Sequence, residues 1–554
     1  MLSFDLKKEE FEELVSGLEK PAIVQLLAKI DLNRTRACSP LRLYRSLRNS
    51  GNSGYSYLLE SVEKQESKAR YSFVGSEPDA VLKIGDRKIS LELLNPAASP
   101  LFEEISSKIR ESCEPGTGKS EAGKLEASIP RGKDVFDALR LAFPTADGVR
   151  LLNAKHFDRQ TFMGGTIGYT AYDAIYDSWL GAEKGFESDI PELQYLLVSK
   201  SFVFDHLTEE VYIVLTPFIR PGSDAGSFYE EVCAEAERLC SRFEETLMAE
   251  EGAGEKIPEG TKNEKTPGSE EKTGVTEISP ATPVCNTSQA EFEAAVLRAK
   301  EHIYAGDIFQ VVLSRKYELQ LQQSPFELYM QLRAINPSPY MYIFEFGDLA
   351  IVGASPETLL TVHKRKVITN PIAGTCPRGK SEAEDEAFAS HMLNDEKERA
   401  EHVMLVDLGR NDVRMVSESG SVKVSGFMQV LKYSHVQHIE STVSGTLRPE
   451  CDQFDAFRAI FPAGTLSGAP KIRAMEIISE LEASPRGIYG GGVGYYSWNG
   501  DADFAIVIRT VLVQGNKASV QAGAGIVADS DPGYEFRETE RKMAAMLAAI
   551  GGEL

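Results

Sequence analysis

The sequence has 554 residues, of which 42% are hydrophobic and 26% are charged, a composition typical of folded globular proteins with more than one domain. Its 83 acidic residues outnumber its 60 lysines and arginines, and the net charge of −23 repels nucleic acids and anionic membranes, so neither is an expected partner. Seven scattered cysteines without a CxxC pair, and no apolar run long enough for a membrane span or a signal core, favour a cytoplasmic location.

The N-terminal part of the chain is rich in strand-forming runs. The stretches "YSYLLESV", "RYSFVGSEP" and "AVLKIG" are dominated by β-branched and aromatic residues. The longer stretch "SKSFVFDHLTEEVYIVLTP" breaks at a polar turn, which predicts a β-hairpin. After it, "GSFYEEVCAEAERLCSRFEETL" has apolar residues at helical spacing.

Residues 249–284 differ from the rest of the chain in composition. Up to Pro283 the stretch has no aromatic residue and no leucine, and is rich in Glu, Lys, Gly, Thr and Pro. Such a segment cannot bury enough apolar surface to offset the entropy of ordering. We therefore predict an acidic flexible linker between an N-terminal region, 1–248, and a C-terminal region, 285–554.

The C-terminal region mixes helices with strands. Ser288 and Glu291 form a capping-box pattern at a helix start, and Gly306 can end that helix. Runs such as "MYIFEFG" and "FAIVIRTVLV" predict strands. Because strands and helices do not alternate evenly, we predict an α+β fold with mostly antiparallel sheets.

Two pairs of glutamates carry the first candidate chemistry. Glu398 and Glu401, and again Glu535 and Glu538, are three residues apart in stretches with a helical pattern, so each pair shares one helix face. Like charges at this spacing repel by a few tenths of a kcal/mol. Either both pairs are solvated surfaces, or two helices hold a hard divalent cation through oxygen ligands. The sequence leaves both readings open.

Other residues suggest anion binding and proton transfer. Arg509 within "FAIVIRTVLV" needs an anionic partner, either an internal carboxylate or a substrate carboxylate. Residues 523–530 are small enough for backbone N–H groups to approach an anion, although a tight turn would look the same. Thr465 lies in a glycine-rich loop that runs into a helix. His438 is either structural or a proton-transfer group whose pKa nearby carboxylates raise.

These stretches resemble the anthranilate synthase component I family of chorismate-utilising enzymes. The resemblance covers nearly the whole chain apart from the predicted linker. The motifs that carry it are "YSYLLESVE", "RYSFVG", "GDIFQVVLSR", "NPSPYMYIFEF", "GASPETLL", "PIAGTCPRG", "NDEKERAEHVMLVDLGRNDV", "GTLSGAPKIRAMEII", "YGGGVGYYSWNGDADFAIVIRT", "QAGAGIVADSDP" and "EFRETERK".

The resemblance implies both an architecture and an activity. The expected fold is α+β, with two antiparallel sheets packed as a sandwich, helices outside, and the two regions interleaved. The expected reaction converts chorismate and ammonia to anthranilate and pyruvate with Mg²⁺, in the first step of tryptophan biosynthesis. The chain has no glutaminase-like G-x-C-x-G motif. A separate glutamine amidotransferase subunit would therefore supply ammonia, in a heterodimer or heterotetramer.

The resemblance also assigns roles to individual residues. Glu357 would protonate the departing C4 hydroxyl, and His438 would act in the loss of pyruvate. Glu401 and Glu538 would bind Mg²⁺ directly, with Glu398 and Glu535 acting through water. Thr375 and Thr465 would line the pocket. The contacts to the substrate carboxylates would be the side chains of Tyr489, Arg509 and Lys542 and the backbone of Gly523, Ala524 and Gly525.

Two positions discriminate among related enzymes. Gln310 stands where water-using relatives carry a lysine base, and a neutral amide cannot deprotonate water, so ammonia is favoured as nucleophile. Ala373 stands where many aminodeoxychorismate synthases carry a lysine.

Cys376 departs from the arginine common in the family. The alternatives are an aminodeoxychorismate synthase component I, or a protein that senses tryptophan or chorismate without turnover.

A regulatory pocket is the last implication of the resemblance. It would bind L-tryptophan as a feedback inhibitor, with the Glu60 carboxylate pairing with the ammonium of the ligand. The residues assigned to this pocket are Glu60, Ser61, Arg70, Pro339, Tyr340, Met341, Val493 and Tyr495.

Overall fold

The structure is a computed structural model that describes residues 2–31, 39–50, 54–61, 70–116, 122–146, 148–248, 283–433 and 436–551. The predicted linker, 249–284, lies outside these ranges except for its last two residues. Of these, Val284 belongs to a short strand that pairs with Glu318. The described part of the C-terminal region therefore starts at residue 283.

Strands make up most of both regions. Those of the N-terminal region are β1 (Leu2–Phe4), β2 (Ala22–Val24), β3 (Leu26–Ile30), β4 (Tyr55–Glu60), β5 (Tyr71–Gly75), β6 (Ala80–Gly85), β7 (Lys88–Leu93), β8 (Glu114–Pro115), β9 (Lys124–Ser128), β10 (Arg150–Leu152), β11 (Gly165–Thr170), β12 (Leu193–Val198), β13 (Lys200–Asp205), β14 (Glu210–Leu215) and β15 (Phe218–Ile219). Those of the C-terminal region are β16 (Val284–Cys285), β17 (Gln310–Gln320), β18 (Tyr340–Phe346), β19 (Leu349–Ser355), β20 (Thr358–His363), β21 (Lys366–Thr369), β22 (Ile372–Pro377), β23 (Lys423–Lys432), β24 (Val436–Thr446), β25 (Gly468–Ala469), β26 (Gly492–Ser497), β27 (Ala502–Ile506), β28 (Thr510–Gln514) and β29 (Lys517–Ile526).

Helices occur in both regions. They are α1 (Lys8–Val15), α2 (Pro40–Ser50), α3 (Ser99–Ser112), α4 (Val135–Arg140), α5 (Ala225–Met248), α6 (Gln289–Ala305), α7 (Pro325–Ile335), α8 (Glu382–Asn394), α9 (Glu396–Arg414), α10 (Gln453–Ile460), α11 (Lys471–Leu481) and α12 (Pro532–Ile550). Among the described residues, none of these helices has both the length and the apolar composition to cross a bilayer.

Local sequence signals explain several of these elements. The Ser288 hydroxyl accepts from the Glu291 backbone N–H at 3.3 Å, and the Glu291 carboxylate accepts from the Ser288 N–H at 2.8 Å, so the predicted capping box starts α6. The same helix ends at Gly306, whose φ of +85° suits glycine. Strands β13 and β14 form the predicted hairpin.

Two large antiparallel sheets organise the described residues, each with thirteen strands. The order of the first sheet is β1-β3-β14-β13-β5-β4-β18-β19-β28-β29-β17-β16, with β25 also paired to β17. The order of the second sheet is β22-β24-β21-β20-β27-β26-β11-β12-β6-β7-β9-β8, with β23 also paired to β24. A small third sheet, β10-β2-β15, contains a parallel pair.

Each large sheet crosses from one region of the chain to the other. In the first sheet β4 pairs with β18, so that Glu60 lies opposite Met341. In the second sheet β11 pairs with β26, so that Tyr169 lies opposite Val493. The two regions are therefore interleaved, as predicted, because each completes the sheets of the other.

Three hydrophobic clusters confirm the predicted sandwich. The cluster between the sheets includes Phe73 and Tyr495, whose rings lie 5.3 Å apart, edge to face. On the outer face of the first sheet, Phe243 of α5 is fully buried. On the outer face of the second sheet, Phe457 of α10 is fully buried. Each such side chain contributes about 1.5–3 kcal/mol by burial, which holds the helices against the sheets.

Candidate active site

A cavity of about 720 Å³ lies where strands from both large sheets meet helices α9 and α12. Every predicted catalytic, substrate and metal residue except Ala524 lines it. These residues are Gln310, Glu357, Thr375, Glu398, Glu401, His438, Thr465, Tyr489, Arg509, Gly523, Gly525, Glu535, Glu538 and Lys542. Ala524 is fully buried, and its methyl group lies on the opposite face of β29 because neighbouring strand residues alternate. The resemblance assigns the backbone of residues 523–525 to the substrate, and that backbone borders the cavity at Gly523 and Gly525, so this assignment stays a prediction.

Glu357 is a buried carboxyl group in this cavity. It follows β19, and only 9% of the residue is exposed. Burial raises its pKa to about 7, while a hydrogen bond from the Thr465 hydroxyl to Oε1, at 2.9 Å, acts in the opposite direction. The carboxylate of Glu440 raises the pKa further. Near neutral pH this group can hold a proton and release it, as a general acid must.

Gln310 begins β17 beside the metal candidates. Its amide Nε2 donates to Glu401 Oε1 at 3.0 Å, and its Oε1 is buried without a partner among the described residues. An unsatisfied buried carbonyl is unfavourable unless a ligand donates to it. This oxygen can accept a hydrogen bond from a small N–H donor in the cavity.

Carboxylates of α9 and α12 converge across the cavity. Burial raises the pKa of Glu398, and the Glu401 carboxylate raises it further. Burial also raises the pKa of Glu535, against the effect of the Ser530 hydroxyl. The two helices therefore bring the predicted pairs together in a partly buried site, where their charges repel.

The arrangement suits a hard cation. Among the described residues, the Gln310 amide contacts Glu401, and the Lys542 ammonium lies 2.7 Å from Glu538 Oε1. An oxygen-rich donor set of this kind is the one that Mg²⁺ prefers. The residues present therefore fit the cofactor that the resemblance implies.

Arg509 does not lie in the secondary-structure element that the sequence predicted for it. It was expected inside a strand, but it lies in the break between β27 and β28, with a positive φ of 52°. Within the described part of the chain it forms no ion pair; Glu357 and Glu538 act on it only at longer range. Burial lowers its pKa because this guanidinium lacks a direct counter-ion. The reading as an internally paired arginine is therefore wrong, and the group is available to a carboxylate ligand.

Two glycines of β29 leave room for side chains of the site. A Cβ atom on Gly525 would lie 2.6 Å from Gln310 Nε2. A Cβ atom on Gly523 would lie 2.8 Å from the Leu313 carbonyl and 2.9 Å from the Tyr489 hydroxyl. Burial raises the pKa of Tyr489 to about 12, so its hydroxyl remains a neutral donor. Lys542 donates to the Gly523 carbonyl at 3.0 Å.

His438 on β24 is held by the neighbouring strand β22. Its Nδ1 lies 2.8 Å from the Gly374 carbonyl and 3.1 Å from the Thr375 hydroxyl. A ring nitrogen this close to a carbonyl carries the proton, so Nε2 is the unprotonated nitrogen. We predicted a raised pKa, but burial lowers it, because desolvation outweighs the Gly374 hydrogen bond. That prediction was wrong, and the ring is neutral near pH 7.

Several residues of the site were missed at the level of sequence. Glu440 is two residues after His438 on β24, and this spacing places both side chains on one strand face. Glu440 does not line the cavity but acts on it through its charge, which raises the pKa of Glu357. Lys397, Tyr534 and Arg541 line the cavity, on the same helices as the carboxylates. Their helical spacing from the glutamates was the available signal. Cys376 does not line the cavity.

The predicted tryptophan pocket is divided between two faces of the first sheet. The Glu60 carboxylate accepts from the Tyr329 hydroxyl and from Arg333 Nε, both at 2.6 Å and both on α7. Met341, opposite it in register, packs in the same outer cluster. In this structure the Glu60 carboxylate therefore contacts α7, and its pairing with a ligand ammonium stays a prediction.

The other residues of that pocket lie between the sheets or beside them. Tyr340, Val493 and Tyr495 belong to the cluster between the sheets, and the Tyr340 hydroxyl donates to Asp503 at 2.9 Å. The hydroxyls of Ser61 and Tyr495 are buried without a hydrogen-bond partner in the described part of the chain. Arg70 instead binds Asp205 and Asp158. Pro339 is buried just before β18.

Comparisons with known proteins agree with the geometry. Residues 111–548 match the family of chorismate binding enzymes. The chain is 45% identical to a Haloferax volcanii protein named anthranilate synthase component 1, over 99% of this chain and 98% of that one. A Thermococcus kodakarensis protein of the same name is 40% identical over 94% of this chain and 99% of that one. The crystal structure of anthranilate synthase component I from Streptococcus pneumoniae aligns with a TM-score of 0.62 and 32% identity, over 88% of this chain and 94% of that one. The chain therefore belongs to the chorismate binding enzyme family, in the group whose members are named anthranilate synthase component 1.

Proposed function

We propose that the protein converts chorismate and ammonia to anthranilate and pyruvate, as the synthase subunit of an anthranilate synthase. The observation that carries the proposal is Glu357, a buried carboxyl group with a pKa of about 7 in the same cavity as Arg509, which forms no ion pair with any residue that the structure describes. Such a pair can bind an anionic substrate and protonate its leaving group.

The residues suggest an order of events. Arg509, with Tyr489 and Lys542, holds the carboxylates of chorismate. Glu357 donates its proton to the C4 hydroxyl, which leaves as water while ammonia adds at C2. Gln310 has no basic group, so a nucleophile that needs no deprotonation before attack is favoured, and its unpartnered Oε1 can accept from ammonia.

The second half of the reaction removes the enolpyruvyl group. Loss of the C2 proton and of the enolpyruvyl group as pyruvate makes the ring aromatic, and the His438 imidazole, neutral and held through Nδ1, can act in proton transfer. Glu401 and Glu538 would hold Mg²⁺ directly, with Glu398 and Glu535 acting through water. When bound, the cation supplies positive charge that attracts a substrate carboxylate and offsets the repulsion among these glutamates.

The proposal extends to partners and regulation. A glutamine amidotransferase subunit would deliver ammonia, in a heterodimer or heterotetramer in the cytoplasm. L-Tryptophan would bind near Ser61, Tyr340 and Tyr495, where two buried hydroxyls lack partners among the described residues. The acidic segment 249–284 would connect the two regions.

One assay tests the function against its alternatives. Purified protein is incubated with chorismate, ammonium and Mg²⁺, and anthranilate is followed by its fluorescence. We expect fluorescent product from the wild type and almost none from Glu357→Gln. A non-fluorescent aminated chorismate would instead identify an aminodeoxychorismate synthase, and binding without turnover would identify a sensor.

A further inference from the structure

A second group of metal-binding side chains lies outside the active-site cavity. His156 lies in the loop between β10 and β11, His363 ends β20, and Asp501 immediately precedes β27. One ligand atom from each residue lies within 4.8 Å of the other two. None of the three lines the active-site cavity. The group is therefore separate from the proposed chorismate chemistry.

The spacing of these atoms matches a coordination sphere. Nδ1 of His363 lies 3.1 Å from Asp501 Oδ2, and Nδ1 of His156 lies 3.4 Å from Asp501 Oδ1. Adjacent ligands of a cation with bonds of about 2.0–2.2 Å are themselves about 3–3.4 Å apart. Because the two rings approach different oxygens of Asp501 and all three ligand atoms lie within 4.8 Å of one another, side-chain rotation would be needed to bring them onto one small cation.

The charge at Asp501 is incompletely balanced by the protein. Asp501 is fully buried, and its ion-pair partners among the described residues are the two imidazoles alone. The Lys364 backbone N–H donates to Oδ1 at 3.3 Å. The nearby Lys155 ammonium is paired with Asp5. A buried carboxylate without a full positive charge is costly, and a bound cation would supply that charge.

Asn499 fixes the relative position of the three residues. Its Oδ1 accepts from the Asp501 N–H at 3.1 Å, and its Nδ2 donates to the Lys155 carbonyl at 2.9 Å. One side chain thus holds both the backbone of Asp501 and the loop residue next to His156. Such supporting contacts orient metal ligands before the metal binds.

We propose that His156, His363 and Asp501 bind a late first-row divalent cation such as Zn²⁺. Two imidazoles and one carboxylate are the ligand types that such ions prefer. The side chain of His156 is 30% exposed, which leaves a path from solvent to the site. On binding at Nδ1 of His363, the cation takes the place of the proton between this nitrogen and Asp501, and the ring then carries its single proton on Nε2. The ion would tie the loop at 153–164 to the C-terminal region.

Calorimetry in excess Mg²⁺ tests the site, because Mg²⁺ competes for the oxygen ligands of the active-site cavity. Metal-free protein is titrated with Zn²⁺, and the wild type is compared with His156→Gln and His363→Gln. Since changes even beyond the direct ligands weaken metal binding about 10- to 100-fold, we expect each variant to lose one Mg²⁺-resistant site or to bind it at least roughly tenfold more weakly. Anthranilate synthesis with Mg²⁺ should be unchanged in both.

A matched control is available in His302, which forms a similar pair with Asp307 at 2.8 Å but has no second imidazole in the group. His302→Gln should retain the wild-type Zn²⁺ stoichiometry. As a second readout, Zn²⁺ should slow tryptic cleavage after Lys155 and Arg159 in the wild type but not in His156→Gln. Equal Zn²⁺ stoichiometry and affinity in the wild type and in both ligand variants would overturn the proposal.

Discussion

At the residue scale, Glu357 illustrates how burial creates an acid that works near neutral pH. An exposed glutamate has a pKa of about 4.3 and is ionised at pH 7. In this cavity the loss of water raises the pKa to about 7, and the Thr465 hydroxyl limits that rise by stabilising the carboxylate. The proton is thus available at the pH where ammonia is also present.

The pH dependence of catalysis should follow this balance. Because the acid must be protonated, kcat/KM for chorismate should fall as pH rises above about 7. Thr465→Val removes a hydrogen bond to the charged form, so the pKa should rise and the decline should move about 1 pH unit higher. Rates are measured at a constant concentration of free ammonia. Thr465→Ser keeps the hydroxyl and should keep the wild-type profile; an unchanged profile in Thr465→Val would refute the coupling.

A second prediction concerns the four glutamates of the cavity. EDTA should abolish anthranilate synthesis and added Mg²⁺ should restore it, while Glu401→Gln and Glu538→Gln should each lose roughly 10- to 100-fold in Mg²⁺ affinity. Glu396→Gln, on the same helix but exposed, is the matched control. Calorimetric titration with Mg²⁺ gives the affinity directly. Full activity in metal-free buffer would exclude the metal assignment.

At the element scale, strand β29 shows how alternation divides one segment between site and core. Gly523 and Gly525 face the cavity, where Tyr489 and Gln310 occupy the space that a Cβ atom would take. Ala524 between them faces the hydrophobic core. Because residues 523 and 525 are glycines, the strand leaves room in the pocket for the Tyr489 and Gln310 side chains.

Gly525→Ala should reduce the activity of the protein but not its thermal stability. The added methyl group would lie 2.6 Å from the end of the Gln310 side chain, a flexible group that can move aside. We expect a several-fold loss of kcat or a higher KM for ammonia, with little change in melting temperature. Gly185→Ala is the control, because no atom lies within 4 Å of its Cβ position. A large fall in melting temperature for Gly525→Ala without a kinetic effect would contradict this role.

At the scale of the whole molecule, the two sheet junctions make the regions interdependent. Without its partner, the N-terminal region would leave β4 and β11 as unpaired edges and would expose half of the core between the sheets. Unpaired edges of this kind promote aggregation. The same argument applies to β18 and β26 of the C-terminal region.

Coexpression of separate pieces tests this dependence. Residues 1–248 and 283–554, made as two chains, should copurify and show Mg²⁺-dependent anthranilate synthesis, whereas each chain alone should aggregate. The measurement is size-exclusion chromatography followed by the fluorescence assay. Cooperative unfolding of either chain alone would show that the regions are independent domains.

Tryptophan feedback belongs to the same scale, because the proposed pocket touches both regions. If tryptophan binding weakens chorismate binding, chorismate must weaken tryptophan binding by the same factor, typically equivalent to about 1–3 kcal/mol. Ser61→Phe should fill the pocket and relieve inhibition without reducing uninhibited turnover, whereas Ser61→Ala should stay sensitive. Calorimetry would refute the assignment if the wild type bound no tryptophan, as would full inhibition of Ser61→Phe.

The sequence by itself determined the local elements and the membership of the site. Capping residues, the hairpin at β13 and β14, and the paired glutamates are set by nearest neighbours and by helical spacing, so they can be read from a linear pattern. Nearly all of the catalytic, substrate and metal residues that the family motifs predicted line the cavity. The identity of residue 310 as glutamine also shows, without a structure, that this position has no basic group.

Only the tertiary structure decided the quantities that depend on surroundings. Burial among residues distant in the sequence lowers the pKa of His438 and leaves Arg509 without an ion pair among the described residues. The contact of Glu60 with α7 likewise joins residues that are far apart in the sequence. Desolvation and charge pairing depend on three-dimensional neighbours, and a strand pattern does not reveal which face meets them. For the same reason, the group of His156, His363 and Asp501 emerges only when the two regions fold together.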